Sequence, residues 1–327
     1  MSPPVHGRSP ASLAPAGAAP TPPHGVLVVD KPPGISSHDM VRRIRRALGT
    51  RSVGHSGTLD PMATGVLVLA IGEATKLVPW LSAEDKSYEA TIALGVETDT
   101  LDAEGRATRH APIGEALQEA LRSASSSAAS PLLRSALAAE RTRTMQVPPA
   151  HSAIHDRGER AYLRARRGEA TVLAARPVAV HDLALRRCSD QPPAIVVALD
   201  VAKGYYVRAL ARDLAAALGT VGHLTALRRT RSGCFSLAEA VSVPAEPSLD
   251  LAARIVPLRV AAGRVLPVAT LSALGADHAR HGRLLDAAEI EPAEPGLKAW
   301  LDGSGRLVAV GQTDAAGRGH VIRGFSS

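Results

Sequence analysis

Cysteine is nearly absent from this 327-residue chain. Cys188 and Cys234 make neither a disulfide framework nor a zinc site, which leaves the cytoplasm as the expected compartment. Long apolar runs are missing too, because proline, glycine or charge interrupts each one before membrane-spanning length, so no membrane partner is expected. Residues 1–24 are rich in alanine and proline but lack the compact apolar stretch of a secretion signal, and they read as a disordered leader. Lysine and tyrosine are also scarce. Yet Lys31, Lys76, Lys86, Lys203, Tyr88, Tyr205 and Tyr206 fall within a few motif-like stretches. Residues that the rest of the chain avoids are concentrated where chemistry is to be sought.

What is present is an ordinary core-forming composition, 45% hydrophobic and 21% charged, long enough for one large domain and a smaller one. The net charge of +7 and an isoelectric point near 9.9 suit a polyanionic partner. The charge is diffuse, however, and a run such as Arg42-Arg43-Ile44-Arg45-Arg46 serves equally well as a solvated helix face.

The stretch Gly54-His55-Ser56-Gly57-Thr58-Leu59-Asp60-Pro61-Met62-Ala63-Thr64-Gly65 sets a histidine, a carboxylate and small hydroxyls among glycines and a proline. Apolar runs lie upstream at Val26–Val29 and immediately downstream at Val66–Ile71, and both read as buried strands. The polar segment is therefore a loop held between core elements. An Asp-Pro pair on its own is most often just a turn.

Elsewhere the pattern predicts a strand at 25–34 closed by a Pro-Gly turn, then a helix at 38–48 capped by Ser36 or Ser37. A short helix is expected around 74–81 and a half-buried strand at 86–95, ending in the acidic turn 97–105. Two helical pieces within 113–142 flank a Ser/Ala linker. An irregular basic segment runs from Gln146 to about Arg176. Strands near 178–187 and 194–201 precede a helix at 209–218 closed by Gly219. The run 224–229 reads as a basic strand or turn, and 265–327 as a small β-rich appendage. Strands that do not alternate regularly with helices argue for an α+β fold.

Several chemistries can be set aside. Gly72-Glu73-Ala74-Thr75-Lys76 lacks the ending of a phosphate-cradling loop. His151 and His155 have helical ligand spacing, but Pro148-Pro149 precede them and no glutamate follows the first histidine, so no metal is expected. What remains is an aspartate in a rigid loop, a tyrosine on a nearby strand and an arginine just after an aromatic pair. A neighbouring cation favours an ionised carboxylate, which is a plausible nucleophile. Tyrosines offer flat faces to a base drawn out of its stack.

The loop at 54–65 resembles the catalytic motif of the bacterial tRNA pseudouridine synthase B family. The likeness extends to Val29-Asp30-Lys31-Pro32-Pro33-Gly34, Lys86-Ser87-Tyr88, Gln146-Val147-Pro148-Pro149, Gly204-Tyr205-Tyr206-Val207-Arg208-Ala209-Leu210 and His223-Leu224-Thr225-Ala226-Leu227-Arg228-Arg229. These occur in the family's order across about residues 25 to 235. The resemblance implies conversion of the uridine at position 55, in the T arm of tRNA, to pseudouridine, with no cofactor or metal.

On this resemblance Asp60 matches the catalytic aspartate, which attacks either sugar or base. Tyr88 matches the residue that stacks on the target base and is the candidate to take the C5 proton. Arg208 matches the arginine that pairs with the aspartate, and Asp102 is placed to join them. His55 matches a histidine that supports the flipped-out nucleotide, and Tyr206 and Leu227 match pocket residues. Each has a plain structural alternative: Tyr88 and Leu227 as core, Arg208 as a surface partner.

The implied fold is a mixed, mostly antiparallel sheet with flanking helices over residues 25–259, followed by an RNA-binding module of the PUA kind at 260–327. The T-arm stem-loop is the expected partner, with the protein acting as a monomer. The segment 146–176 is expected to be the arm that grips RNA. There the family continues Met-Tyr-Ser-Ala-Leu-Lys after the prolines, whereas this chain has Ala150-His151-Ser152-Ala153-Ile154-His155. Arg157, Arg160, Arg164, Arg166 and Arg167 remain to meet phosphates. Two other roles fit the same motifs: a tRNA-folding chaperone whose loop is incidental, and a sister synthase acting on ribosomal RNA.

Overall fold

The computed structural model describes residues 23–123, 130–152, 154–156, 159–161, 164, 167, 169, 173–243 and 251–326. Most of the leader, the centre of the Ser/Ala linker, and Arg157 and Arg166 of the arm lie outside these residues.

The apolar run after His24 forms strand β1 (Gly25–Lys31). The capping box of Ser36 and Asp39 then starts helix α1 (Ser37–Ala47). Strands β2 (Val53–His55) and β3 (Thr64–Ile71) bracket the polar loop. A 3₁₀ turn over Gly72–Leu77 gives way to helix α2 (Val78–Ala83), where Pro79 is tolerated in the first turn. Strand β4 (Lys86–Leu94) follows, then helices α3 (Glu115–Ser123) and α4 (Pro131–Arg141). Strands β5 (Val180–Asp190) and β6 (Pro193–Val201) lead to helix α5 (Val207–Ala217) and the long strand β7 (Gly222–Ser232).

These strands form one sheet in the order β5–β6–β4–β7–β3–β1, with Val241–Ser242 at the β1 edge. The β7–β3 pair and the Val241–Ser242 edge are parallel; the other pairs along this path are antiparallel. The expected mixed, mostly antiparallel sheet is thus present.

Burial explains why β1 and β3 lack polar alternation. Leu27, Val29, Leu67, Leu69 and Ile71 join one core with helices α1, α3, α4 and α5. Val26, Val28, Val66, Val68 and Ala70 point the other way into a second core. Both faces are covered, so Val26–Val29 and Val66–Ile71 are apolar at every position. The second core also takes in helix α6 (Leu258–Val265) through Ala261 and Ala262, and residues of a C-terminal sheet. The boundary expected at 259/260 falls inside α6.

The C-terminal sheet comprises β8 (Val268–Leu271), β9 (Gly296–Leu301), β10 (Leu307–Thr313) and β11 (Gly319–Gly324), with Ile290–Glu291 beside β8. Helix α7 (Ala273–Arg280) packs against it, adding a helix to the appendage read as β-rich.

Among the described residues no helix is long and apolar enough to cross a membrane. One glycine fixes the junction at which the polar loop enters the sheet. Gly65 has φ +99°, and a Cβ there would fall 2.1 Å from the Arg229 carbonyl oxygen. That neighbour is backbone, so nothing can swing aside. Gly65→Ala is expected to destabilise the protein by on the order of 3 kcal/mol, read from a chemical denaturation midpoint.

Candidate active site

The polar loop closes one wall of a cavity of about 650 Å³. Asp60, Pro61, Tyr88, Tyr206, Arg208 and Leu227 all line it. The sequence-derived candidates Asp60, Tyr88, Arg208, Tyr206 and Leu227 therefore converge, although they are spread over more than half the chain.

Arg208 lies in the first turn of α5, and its guanidinium is the hub. Its Nε stands 3.0 Å from Asp60 Oδ2, and its Nη2 lies 3.4 Å from Asp60 Oδ1. Nη1 donates to the Thr100 carbonyl at 2.9 Å, and Nη2 to the His151 carbonyl at 3.0 Å. Asp102 joins at a longer distance, its Oδ2 3.7 Å from Arg208 Nε. Its side chain is nearly sealed from solvent, accepting from the Thr100 hydroxyl at 2.6 Å and the Glu104 amide at 3.1 Å. Asp102 is thus a buried partner of the arginine rather than part of the cavity wall. Asp60 keeps a third of its side chain exposed, as a group that meets a substrate must.

Tyr88 sits in the middle of the sheet, on β4 between Leu199 of β6 and Arg229 of β7. Leu227 and Arg229 lie two apart on β7 and both line the cavity, following the strand's period of two. His55 is placed differently. It is absent from the cavity lining and packs edge-on against His38, with ring centroids 5.3 Å apart. Burial first, then the charges of His38 and Arg229, lower its pKa, which keeps the imidazole neutral. Among the described residues its buried Nδ1 meets no hydrogen-bond partner.

Several positioning groups escaped assignment from the sequence. Arg229 is 1% exposed. Its Nε donates to the Val66 carbonyl at 2.6 Å, while Nη1 and Nη2 reach the carbonyls of Thr58 and Gly57 at 3.4 and 3.2 Å. Ser37 clamps the same loop, donating to the Leu59 carbonyl at 3.1 Å and accepting from the Leu59 amide at 2.9 Å. Lys31, fully buried, donates to the carbonyls of Pro32, Ile35 and Pro61 at 3.0, 2.8 and 3.1 Å. These bonds satisfy loop carbonyls that would otherwise be buried unpaired. The spacing of Arg229 from Leu227 was the available signal for the arginine.

Burial lowers the pKa of Lys86 to about 8, with Arg229 adding to the effect. Lys86 lines the cavity and donates to the carbonyls of Ser82, at 3.2 Å, and Glu84. A folded-state value below the unfolded one means that the unfolded chain binds more protons between about pH 8 and 10.5, so this group's contribution to stability rises across that window. The cation it offers a polyanion, conversely, is lost as pH rises through about 8. RNA affinity is therefore expected to weaken from pH 7 to 9, and Lys86→Met to flatten that slope, as read by binding titrations at constant salt.

Burial also raises the Tyr206 phenol, which remains protonated at neutral pH. Among the described residues no group of three or more His, Cys, Asp or Glu side chains is placed to hold a metal ion.

The chain is similar to known proteins over most of its length. Residues 45–207 match the TruB family pseudouridylate synthase N-terminal domain, and residues 208–245 match the tRNA pseudouridylate synthase B C-terminal domain. The tRNA pseudouridine synthase B of Thermobifida fusca is 45% identical over 266 residues, covering 79% of this chain and 85% of the relative. That of Mycobacterium tuberculosis is 44% identical over 291 residues, covering 88% and 91%. Among solved structures, a chain of a Cbf5–Nop10–Gar1 complex aligns with a TM-score of 0.65 and 23% identity, covering 90% of this chain and 79% of that one. At that identity the likeness concerns the fold alone.

Proposed function

Because this chain belongs to the TruB family and isomerises uridine to pseudouridine in tRNA, we propose that its target is the uridine at position 55 of the T arm. We further propose that the nucleotide is flipped into the 650 Å³ cavity and attacked by Asp60. The observation that carries this reading is the Arg208–Asp60 pair at 3.0 Å on the wall of a cavity also lined by Tyr88.

The guanidinium holds the carboxylate in one orientation through Nε and Nη2 and is itself fixed by two backbone carbonyls. Attack at C1′ of the ribose or at C6 of the uracil requires a nucleophilic carboxylate oxygen, and this arrangement presents one to the cavity. Cleavage of the N1–C1′ bond, rotation of the uracil and formation of the C5–C1′ bond rearrange the nucleotide without gain or loss of atoms. The Tyr88 hydroxyl relays the proton: its oxygen accepts the one leaving C5 as its own O–H proton passes through water to N1, and Asp60 is released unchanged.

The C-terminal module, with exposed Arg283 and Leu284 after α7 and exposed Arg323 on β11, is suited to a second RNA contact of the PUA kind. The test is to incubate the purified protein with an unmodified T-arm stem-loop and map pseudouridine. Conversion at position 55, and at no other uridine of the loop, is expected. Modification of ribosomal RNA fragments in its place, or binding without conversion, overturns the reading.

A further inference from the structure

The root of the RNA-gripping arm is bolted to the helix that carries Arg208. Tyr206 is the N-cap residue of α5, and it makes no side-chain capping bond of its own. Gln146 instead holds the cap residue's own backbone from another part of the chain. Its Oε1 accepts from the Tyr206 amide at 2.9 Å, and its Nε2 donates to the Tyr206 carbonyl at 3.2 Å. The Gln146 side chain is 2% exposed, so both bonds are shielded from water.

One turn further on, Arg208 and Arg212 share a face of α5. Arg212 Nη2 donates to the Val147 carbonyl at 2.9 Å, and Arg208 Nη2 to the His151 carbonyl at 3.0 Å. The segment 146–152 thus runs along the first two turns of α5, held at its start, its second residue and near its end. The last of these contacts uses the nitrogen that also approaches Asp60.

We propose that Gln146, assisted by Arg212, is a positioning residue for the Asp60–Arg208 pair, registering the arm's root against α5 so that the His151 carbonyl completes the guanidinium's set of partners. This rests on the reading of Asp60 as the reacting carboxylate. Gln146 touches neither the substrate pocket nor Asp60. It acts through Tyr206 and the helix start, and a misplacement there is passed to the guanidinium two residues on.

The test compares single-turnover conversion of an unmodified T-arm stem-loop, at saturating enzyme, with equilibrium binding of the same RNA. Gln146→Leu removes both amide bonds at similar size. Its conversion rate is expected to fall by about 10- to 100-fold, with affinity within about threefold of the unaltered protein. Gln146→Glu keeps an acceptor for the Tyr206 amide and is expected to recover part of the rate. Arg212→Met, at a partly exposed site that tolerates truncation, lowers the rate by a smaller factor, and Arg212→Lys restores some of it.

A Gln146→Leu rate within twofold of the unaltered protein overturns the proposal, as does a loss of affinity as large as the loss of rate. If Gln146→Leu does not fold, the Arg212 pair decides: equal rates for Arg212→Met and the unaltered protein overturn it. Asp60→Asn is run alongside. Retained conversion there defeats the reading of Asp60, whereas an inactive Asp60→Asn with a fully active Gln146→Leu defeats only the role given to Gln146.

Discussion

Asp60→Asn is expected to reduce pseudouridine formation by on the order of 10⁴-fold or more while leaving T-arm binding within a few fold. The substitution is nearly isosteric, so the loop keeps the bonds that shape it, those from Arg229, Ser37 and Lys31 to its backbone carbonyls. What it removes is the anionic oxygen. An amide is a poor nucleophile, and its NH₂ group can present a donor to Arg208 where an acceptor is needed. Conversion is read by a tritium-release or mapping assay and binding by titration. Substantial conversion by the asparagine variant sinks the nucleophile assignment, and a parallel collapse of binding assigns the loop a structural role instead.

The second large effect is expected at Arg208. A lysine there keeps the charge but has one nitrogen, whereas the guanidinium serves Asp60, Thr100, His151 and, at longer range, Asp102 from three. Arg208→Lys should lower the conversion rate by about 10²-fold, because the carboxylate loses its fixed orientation. It should also lower stability, since Asp102 is nearly buried and, among the described residues, is left with the Thr100 hydroxyl and the Glu104 amide. Breaking a buried pair costs about 3–5 kcal/mol, and the partial exposure of Asp60 puts the figure for this network at the lower end or below. A thermal melt and a single-turnover assay separate the two consequences. Unchanged melting with lost activity means that Asp102 is satisfied without the arginine.

The parts of this architecture that were legible in the sequence are those where one physical requirement dominates. Strands β1 and β3 show as unbroken apolar runs because both faces of the sheet are covered. The loop between β2 and β3 shows because glycine and proline have few other reasons to cluster with an aspartate. Asp60, Tyr88 and Arg208 were found together, and they do meet in one cavity.

Arg229 was not legible as a buried scaffold. In a chain so rich in arginine, its identity carries little information, and only the tertiary fold shows its guanidinium turned towards loop carbonyls. Helix α7 was missed because it is short and carries Gly275, a weak helix residue kept where a Cβ would fall 2.8 Å from the Glu289 carbonyl oxygen. The start of α5 was placed two residues late. Its cap bonds come from Gln146, sixty residues earlier, so no local signal marked the onset. His55 shows the opposite case: the motif is present, but its ring rests against His38 instead of on the cavity wall.

The second core has one more consequence. Ala261, Ala262, Leu266, Ala299, Leu307, Val310 and Phe325 close onto Val26, Val28, Val66 and Phe235 as one apolar seam between the two sheets. An interface packed through apolar side chains resists relative motion of the two sheets, so the molecule acts as a caliper of nearly fixed gape. Any polynucleotide touching both tips must hold the matching separation in its own shape, and a strand too short or too slack to bridge them is measured by one jaw only.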